Sequence, residues 1–332
     1  MTIPATMRAL QQTSLAGPQD LRLVTDVAVP IPGPGDVLIH VAVAGVNFVD
    51  ISQARGTFAH GPCPPYVAGI EGVGVVVAVG EGVTEPSLGT RVVGVGITGG
   101  AFAEYMVLPA AGAVPVPEGW SDEDALGLLV NWPTALAALR PLGCLTRGET
   151  VLIHAAAGAT GQAAVRMAVH YGATVIATAS PDKHDAVRAL GVDHVLDSHS
   201  NRIADEVLQL TGGDGADLVL ESVGGATLEA SLAATRRVTG RVVVYGVAGG
   251  DASISGWDLI YTNQVHVIGL NIGTLIRSAP HLFGEVMAEL FHLVAAGVLG
   301  GHRPTVYDLA EGPKVLAELE SRATTGKLAL LP

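Results

Sequence analysis

The 332-residue sequence is poor in cysteine and in basic residues. Its two cysteines, Cys63 and Cys144, are too far apart for a metal-ligand pair, which argues against a disulfide framework or a cysteine-based zinc knuckle. We expect both to be buried free thiols. Only 18 lysines and arginines stand against 31 acidic residues, giving a formal net charge of -13. Nucleic acid and anionic membranes are therefore poor candidate partners.

Long apolar runs and targeting signals are also lacking. Glycine, proline or charge interrupts each apolar stretch, and the first residues, MTIPATMRALQQ, do not follow the order of a signal peptide. Hydrophobic residues nevertheless make up 49% of the chain, enough for a large core and more than one domain. We expect a two-domain cytoplasmic protein that makes no membrane contact.

The sequence pattern changes near residue 120. Up to about residue 120, short valine- and glycine-rich runs alternate with turn signals, which predicts a β-rich, barrel-like domain. From about Asp122, nearly all-apolar strands alternate with helices, which is typical of a parallel sheet covered on both faces. In this part, DEDALGLLVNWPTALAALRPLG predicts helical segments interrupted at Pro133. The predicted fold class is α/β, a β-barrel domain plus a doubly wound nucleotide-binding domain.

The stretch VLIHAAAGATGQAAV is close to the dinucleotide-binding fingerprint. Ala156, Gly158 and Gly161 occupy the three glycine positions of G-x-G-x-x-G, between a predicted strand and a predicted helix. Glycine matters most at 158, where the backbone approaches phosphates, and at 161, where helix and strand pack closely. Alanine at 156 is tolerated if its φ stays negative. The candidate cofactor-binding residues of this turn are Ala157, Gly158, Ala159, Thr160 and Gly161.

The next strand ends in Thr-Ala-Ser, followed by Pro-Asp-Lys. The hydroxyl of Ser180 and the ammonium of Lys183 suit the extra phosphate of NADP better than a bare ribose. Asp182 could serve the ribose instead, and Lys183 could equally be a solvated lysine at a helix start. We expect NADPH in preference to NADH. Later strand ends add candidates that tight turns would explain equally well, namely Val223, Gly224, Gly246 and Val247.

Several ordered motifs carry a family resemblance over nearly the whole chain: AGVNFVDISQARGTF, PYVAGIEGVGVVVAVGEGV, HAAAGATGQAAVRMAVHYGATVIATAS and ESRATTGKLAL. They resemble the zinc-independent quinone oxidoreductases, relatives of zeta-crystallin in the medium-chain dehydrogenase/reductase superfamily. The resemblance implies a GroES-like catalytic domain of residues 1–123 and 274–332. It implies a Rossmann NADP-binding domain of residues 124–273 inserted between them, with the active site in the cleft.

Zinc is not expected in this branch. Zinc-dependent relatives carry Gly-His-Glu where this chain reads GIEG, with Ile70 in the histidine's place, and a cysteine near the position of Asn47. Without these residues a three-ligand catalytic zinc cannot be assembled in the usual way. A reductase without a metal can still pass hydride to a quinone or an α,β-unsaturated carbonyl, because hydrogen-bond donors suffice for the delocalised charge.

The resemblance also implies roles for single residues. Asn47 and Asp50 are the implied catalytic residues near the nicotinamide, although the residues alone also fit a turn and a helix cap. Thr134 is implied at the nicotinamide end, and Arg322 and Lys327 at the cofactor phosphates. The proton donor is left open between Asp50, a cofactor hydroxyl and water.

Some positions depart from the family pattern. Asn131 and Trp132 replace the commoner residues beside Thr134, and Ala159-Thr160 stands where relatives have Gly-Val. The remaining departures replace tyrosines, at Phe58 and Ser198.

The leading hypothesis is a metal-independent, NADPH-dependent reductase of small hydrophobic quinones or similar conjugated carbonyl compounds. The alternatives are an enoyl-thioester or 2-alkenal reductase and a non-enzymatic NADPH-binding protein. A homodimer is expected by analogy, through the apolar edge strand at Val265 to Leu270, since an exposed edge needs a cover.

Overall fold

The computed structural model describes residues 2–300 and 303–332, which divide into two compact units. The described residues up to Val130 and those from Arg303 onward form the first unit, here called the barrel domain. Asn131–Gly300 form the second, the Rossmann domain. Within the described part of the chain, no helix is long and apolar enough to cross a membrane.

The two compact units divide near residues 130 and 300. The reason at the second boundary is a long helix, α8 (Pro280–Ala295), which packs against α2 (Asn131–Leu139). The hydroxyl of Tyr171 also donates a 2.6 Å hydrogen bond to Glu289 on this helix. Residues 274–300 are therefore in the same compact unit as the parallel sheet, and the catalytic-domain boundary that the resemblance implies stays a prediction.

Antiparallel strands build most of the barrel domain. A seven-stranded sheet has the order β15-β16-β3-β5-β6-β8, with β7 paired to β3, and a three-stranded sheet has the order β2-β1-β4. The central strand β3 buries most of its side chains in the domain core. A Cβ on Gly74 of β5 would lie 2.1 Å from the carbonyl oxygen of His40, so glycine permits this close strand pairing. The strands are β1 (Thr6–Gln12), β2 (Leu21–Ala28), β3 (Asp36–Val46), β4 (Tyr66–Val67), β5 (Glu71–Val79), β6 (Arg91–Val95), β7 (Tyr105–Pro109), β8 (Val114–Pro115), β15 (Thr305–Asp308) and β16 (Leu328–Leu331).

The Rossmann domain contains a six-stranded sheet of the order β11-β10-β9-β12-β13-β14, in which every pairing is parallel. Buried valine, leucine and isoleucine side chains fill its inner strands, as expected of a sheet covered on both faces. Chain order reverses between β9 and β12, the position at which such sheets place a nucleotide. The doubly wound fold predicted from the sequence is confirmed. The strands are β9 (Thr150–Ile153), β10 (Thr174–Ala179), β11 (His194–Asp197), β12 (Leu218–Glu221), β13 (Arg241–Val244) and β14 (His266–Gly269).

The helices follow the predicted pattern except at Pro133, and the two cysteines also differ from expectation. Pro133 does not interrupt a helix, because it lies in the first turn of α2, where its missing N–H has no intrahelical partner to lose. Both cysteines are exposed free thiols rather than buried ones. The other helices are α1 (Phe48–Ala54), α3 (Ala159–His170), α4 (His184–Arg188), α5 (Ile203–Leu210), α6 (Ala226–Ala234), α7 (Ile272–Ser278) and α9 (Gly312–Glu320).

Candidate functional site

The glycine turn joins β9 to α3. Ala156 does not have a left-handed φ, which is the condition for an alanine in place of the first glycine. The neighbouring Ala155 has a φ of 50° instead. A Cβ on Gly161 would lie 2.4 Å from the carbonyl oxygen of Ala155, so any side chain there would push helix and turn apart. A Cβ on Gly158 would meet only that same oxygen, at 3.4 Å, an ordinary contact. Gly161 is thus required by packing, while Gly158 leaves open space beside the turn.

The N-terminus of α3 fits a phosphate group. Gly158 is its N-cap and has no side chain with which to cap the helix. The helical hydrogen bonds begin with the amide of Gln162, which donates to the carbonyl of Gly158 at 2.8 Å. The amides of the preceding first turn are those that a helix cannot satisfy internally, and they attract anions. The predicted cofactor residues 157–161 therefore form a cradle of the right chemistry for a pyrophosphate.

Two departures from the family pattern meet beside this cradle. The side-chain amide of Asn131 donates to the hydroxyl of Thr160 at 3.1 Å. This contact links the first turn of α2 to the first turn of α3. Thr134, the residue implied at the nicotinamide end, lies one turn further along α2 and is half-buried.

Ser180 and Lys183 lie together at the end of β10. Ser180 caps a 3-10 turn, Pro181–Lys183, and the Lys183 side chain is mostly buried. Burial lowers the pKa of Lys183, although the charge of Asp182 opposes this. A hydrogen bond from Ser180 lowers the pKa of the exposed Asp182 carboxyl. The serine hydroxyl assigned to the adenosine phosphate thus has a competing anionic partner, Asp182.

The turns after β12 and β13 are hydrogen-bonded to each other. The buried carboxylate of Glu221 accepts hydrogen bonds from the amides of Val223, at 2.7 Å, and Gly224, at 3.0 Å. Burial raises the pKa of Glu221, against these amide hydrogen bonds. The carbonyl of Val223 accepts from Gly249, so both backbone polar groups of Val223 are engaged within the domain. A Cβ on Gly246 would lie 2.8 Å from the carbonyl oxygen of Ser222, and Val247 is half-exposed.

A buried histidine network lies directly before the glycine turn. His154 Nδ1 is 3.0 Å from the Thr178 hydroxyl, and its Nε2 is 3.0 Å from the Ser231 hydroxyl. Since Ser231 donates to the carbonyl of Thr227 at 2.7 Å, we assign the imidazole proton to Nε2. Burial lowers the pKa of His154 to about 4, so the ring is neutral at pH 7. The network joins β9, β10 and α6 without a charge.

In the barrel domain, Asn47 and Asp50 open α1. The carboxylate of Asp50 accepts a 2.7 Å hydrogen bond from the backbone amide of Asn47 and a 3.2 Å bond from that of Ile70. Asp50 is only 3% exposed, and burial raises its pKa to about 7. It therefore performs the capping role that its position at a helix start suggested, and it carries a proton much more readily than an exposed aspartate.

An ion pair with a fully buried carboxylate adjoins these residues. The Lys327 ammonium lies 2.6 Å from Glu71 Oε2 and 2.8 Å from Asn47 Oδ1. The Asn47 amide donates to Glu71 Oε2 at 3.0 Å, while Glu71 Oε1 accepts from the amide of Gly127 at 2.6 Å. The Lys327 ammonium thus contacts Glu71 and Asn47, and its implied role at the cofactor phosphates stays a prediction.

The structure groups the predicted residues by domain. Asn47, Asp50 and Lys327 meet in the barrel domain, whereas Arg322 lies on the exposed turn after α9 with a left-handed φ of 61°. The remaining candidates are in the Rossmann domain, Thr134 on α2 and the others in the turns and helix starts that follow the strands. Sequence reasoning missed Glu71, His154 and Glu221. Each is a polar residue at one end of an apolar strand, Glu71 at its start and the other two at its end, which is a usable signal.

The donor chemistry does not fit zinc. Among the residues that the structure describes, no group of three His, Cys, Asp or Glu side chains could hold a metal ion. Ile70 offers no donor, and the carboxylate of Glu71 is already bonded to an ammonium and two N–H groups.

Two family models match the chain. Residues 33–118 match the alcohol dehydrogenase GroES-like domain, and residues 159–292 match the domain named zinc-binding dehydrogenase. The human synaptic vesicle membrane protein VAT-1 homolog is 30% identical over 345 residues, which cover 98% of this chain and 86% of that protein.

Several solved structures resemble this chain over nearly its whole length. A quinone oxidoreductase from Pseudomonas syringae pv. tomato DC3000 superposes with a TM-score of 0.91 at 32% identity, covering 98% of this chain and all of the other. The Escherichia coli quinone oxidoreductase complexed with NADPH has a TM-score of 0.89 at 27% identity, covering 99% and 100%. The CurK enoyl reductase has a TM-score of 0.84 at 27% identity, covering 98% of each chain.

Proposed function

We propose that this chain, which belongs to the zinc-independent quinone oxidoreductase branch of the medium-chain dehydrogenase/reductase superfamily, reduces small quinones or similar conjugated carbonyl compounds with NADPH. The observation that carries the proposal is the glycine turn. Its Gly158 leaves space for a phosphate next to an uncapped helix N-terminus. NADPH is bound in two of the solved relatives, and three of them are quinone oxidoreductases.

The side chains support an acceptor that needs no metal. Bound NADPH would supply the hydride. Amides 159–161 of α3 would hold its pyrophosphate, and Ser180 with Lys183 would hold its adenosine phosphate. A quinone or an enone spreads the charge that develops, so hydrogen-bond donors can stabilise it without a Lewis acid.

We assign the protein-borne proton to Asp50. Its carboxyl has a pKa of about 7, raised by burial, so a large fraction is protonated at neutral pH. General acids work best when their pKa is near the working pH. Asn47 adjoins Asp50 through its backbone amide and is held by Lys327 and Glu71. An Asp50→Asn variant should retain NADPH binding and lose the pH dependence of turnover near neutrality.

Reduction of an enoyl thioester is the second candidate, because the CurK enoyl reductase shares the fold over 98% of both chains. The discriminating experiment is NADPH oxidation, with NADH in parallel, over 1,4-benzoquinone, a simple enone and an enoyl thioester. Fastest turnover of the quinone supports the proposal, and fastest turnover of the thioester supports the second candidate. NADPH binding without turnover of any acceptor would favour a non-enzymatic role.

The nucleotide assignment has its own test, the Gly158→Ala variant. The added methyl group meets only ordinary contacts within the protein, so the fold should be unchanged. It would occupy the space required by the phosphate, and we expect NADPH affinity to fall about tenfold or more. Gly284→Ala in α8, where a Cβ meets nothing within 4 Å, is the matched control. Equal NADPH affinity in the two variants would contradict the assignment.

We also propose a homodimer formed through β14. Within the described residues, this strand has a neighbour on one side only, and Val267 on it is 37% exposed. Next to it the side chains of Trp257, Ile260 and Tyr261 are more than half exposed, and a groove of about 480 Å³ runs along β14. A Val267→Lys variant should be monomeric by light scattering, and a monomeric wild-type protein would contradict the dimer.

A further inference from the structure

One buried group in the barrel domain has no role in the resemblance, the carboxylate of Glu71. It is fully buried at the start of β5, and its oxygens bind Lys327, Asn47 and Gly127. A Cβ on Gly45 would lie 2.3 Å from Glu71 Oε2, so β3 uses a glycine where the carboxylate needs room. Burying a charge is costly unless it is paired and hydrogen-bonded, and here both conditions are met.

The pair also determines how Asn47 is oriented. Lys327 can only donate, so the atom facing it at 2.8 Å must be the carbonyl oxygen of Asn47. Glu71 can only accept when ionised, so the atom facing it at 3.0 Å must be the Asn47 amide nitrogen. The two charges together exclude the flipped amide.

Asp50 lies one hydrogen bond further along. Its Oδ2 accepts the backbone amide of Asn47, the same residue whose side chain the ion pair holds. Burial is the main cause of its raised pKa, the positive charge of Lys327 lowers that pKa, and the negative charge of Glu71 raises it. Tyr66 also faces Asp50, but burial and the aspartate charge raise its pKa to about 12, so it stays neutral near pH 7.

We infer that the buried Glu71–Lys327 pair positions Asn47 and sets the proton affinity of Asp50, which makes both members of the pair positioning residues of the barrel domain. Lys327 favours the carboxylate of Asp50, and Glu71 favours the protonated acid. The inference rests on the proposed function for its catalytic consequence, whereas the protonation of Asp50 can be measured without it.

The test compares Lys327→Met, Glu71→Gln and the double variant in the full-length protein. Infrared difference spectra would follow the carboxyl C=O stretch with pH, and its loss in Asp50→Asn would assign it. Loss of Lys327 should raise the midpoint by about one pH unit or more, and loss of Glu71 should lower it by a similar amount. The double variant should return toward the wild-type midpoint.

Three controls keep the result interpretable. Lys327→Arg retains the positive charge and should leave the midpoint near the wild-type value. Lys314→Met removes an exposed lysine of the same domain and should not move it. The double variant removes both charges, so it should fold even if a single variant leaves an unpaired buried charge and does not.

The pH profile of kcat with NADPH and 1,4-benzoquinone is the second measurement. For wild type, kcat should fall as pH rises through the Asp50 midpoint, and each variant's fall should move with its infrared midpoint. Midpoints that stay the same in every folded variant, the double variant included, would overturn the inference. A wild-type protein that turns over no acceptor while the infrared midpoints move would reject the proposed function alone.

Discussion

Two buried polar networks, one in each domain, are built in opposite ways. In the barrel domain, Glu71 and Lys327 form a charged pair beside a carboxyl, Asp50, whose pKa is near neutrality. In the Rossmann domain, the corresponding buried network of His154, Thr178 and Ser231 is neutral at pH 7. A neutral network holds a strand end in place, whereas a charged one can also shift a neighbouring proton equilibrium. We therefore place proton chemistry in the barrel domain and nucleotide binding in the Rossmann domain.

The largest expected effect concerns the charged pair Glu71–Lys327 of the barrel domain. Lys327→Met leaves the Glu71 carboxylate buried without its cation, which typically costs about 3–5 kcal/mol of unfolding free energy. The double variant Glu71→Gln/Lys327→Met should recover most of that loss, because both charges are gone. Denaturant unfolding of the two proteins measures the difference. If the double variant is no more stable than the single one, the pair does not behave as a compensated ion pair.

The second prediction concerns pH, to which Asp50 and His154, one in each network, should respond with opposite signs. Asp50 has a folded-state pKa raised from 3.8 to about 7, so its contribution to stability is lost as pH rises between these values. His154 has a folded-state pKa lowered from 6.5 to about 4, so its contribution is lost as pH falls between these values. Hydrogen exchange resolved by domain, at pH 5 and at pH 7, would measure both.

Variants separate these two responses. Asp50→Asn should flatten the pH dependence of the barrel domain and leave that of the Rossmann domain unchanged. His154→Asn should do the reverse, since it removes the only titrating member of its network. Parallel pH profiles for the two domains in the wild-type protein would contradict the comparison.

The third prediction concerns Asp182, the anion beside the proposed adenosine-phosphate site. Asp182 is exposed and engages Ser180, so its negative charge opposes a phosphate there. Asp182→Asn should tighten NADPH binding by about twofold to fivefold at low salt and leave NADH binding nearly unchanged. Calorimetric titration with both nucleotides at two salt concentrations checks this. An equal gain for NADH would show that Asp182 does not discriminate against the phosphate.

The sequence predicted what depends on local pattern. Apolar strands alternating with helices indicated the doubly wound sheet, and the spacing of Gly158 and Gly161 predicted the turn between β9 and α3. Contacts between distant residues were not predictable in this way. Lys327 meets Glu71 across 256 positions, which no periodicity or spacing reveals. The division of the chain near residue 300 also cannot be read from spacing, because it depends on α8 packing against α2.

The smallest predicted effect concerns a pair whose members looked separately like departures from the family. Asn131 donates to Thr160 at 3.1 Å, across 29 positions. If Thr160 compensates for the departure at Asn131, the two residues should be coupled. A double-mutant cycle of Asn131→Ala and Thr160→Val should then show a coupling of about 0.5–1 kcal/mol in unfolding free energy. Because Thr160 lies in the phosphate turn, NADPH affinity should show the same coupling. Additive losses in both measurements would mean that the two departures are independent. This neutral contact of the Rossmann domain would then contribute less to stability than the ion pair of the barrel domain.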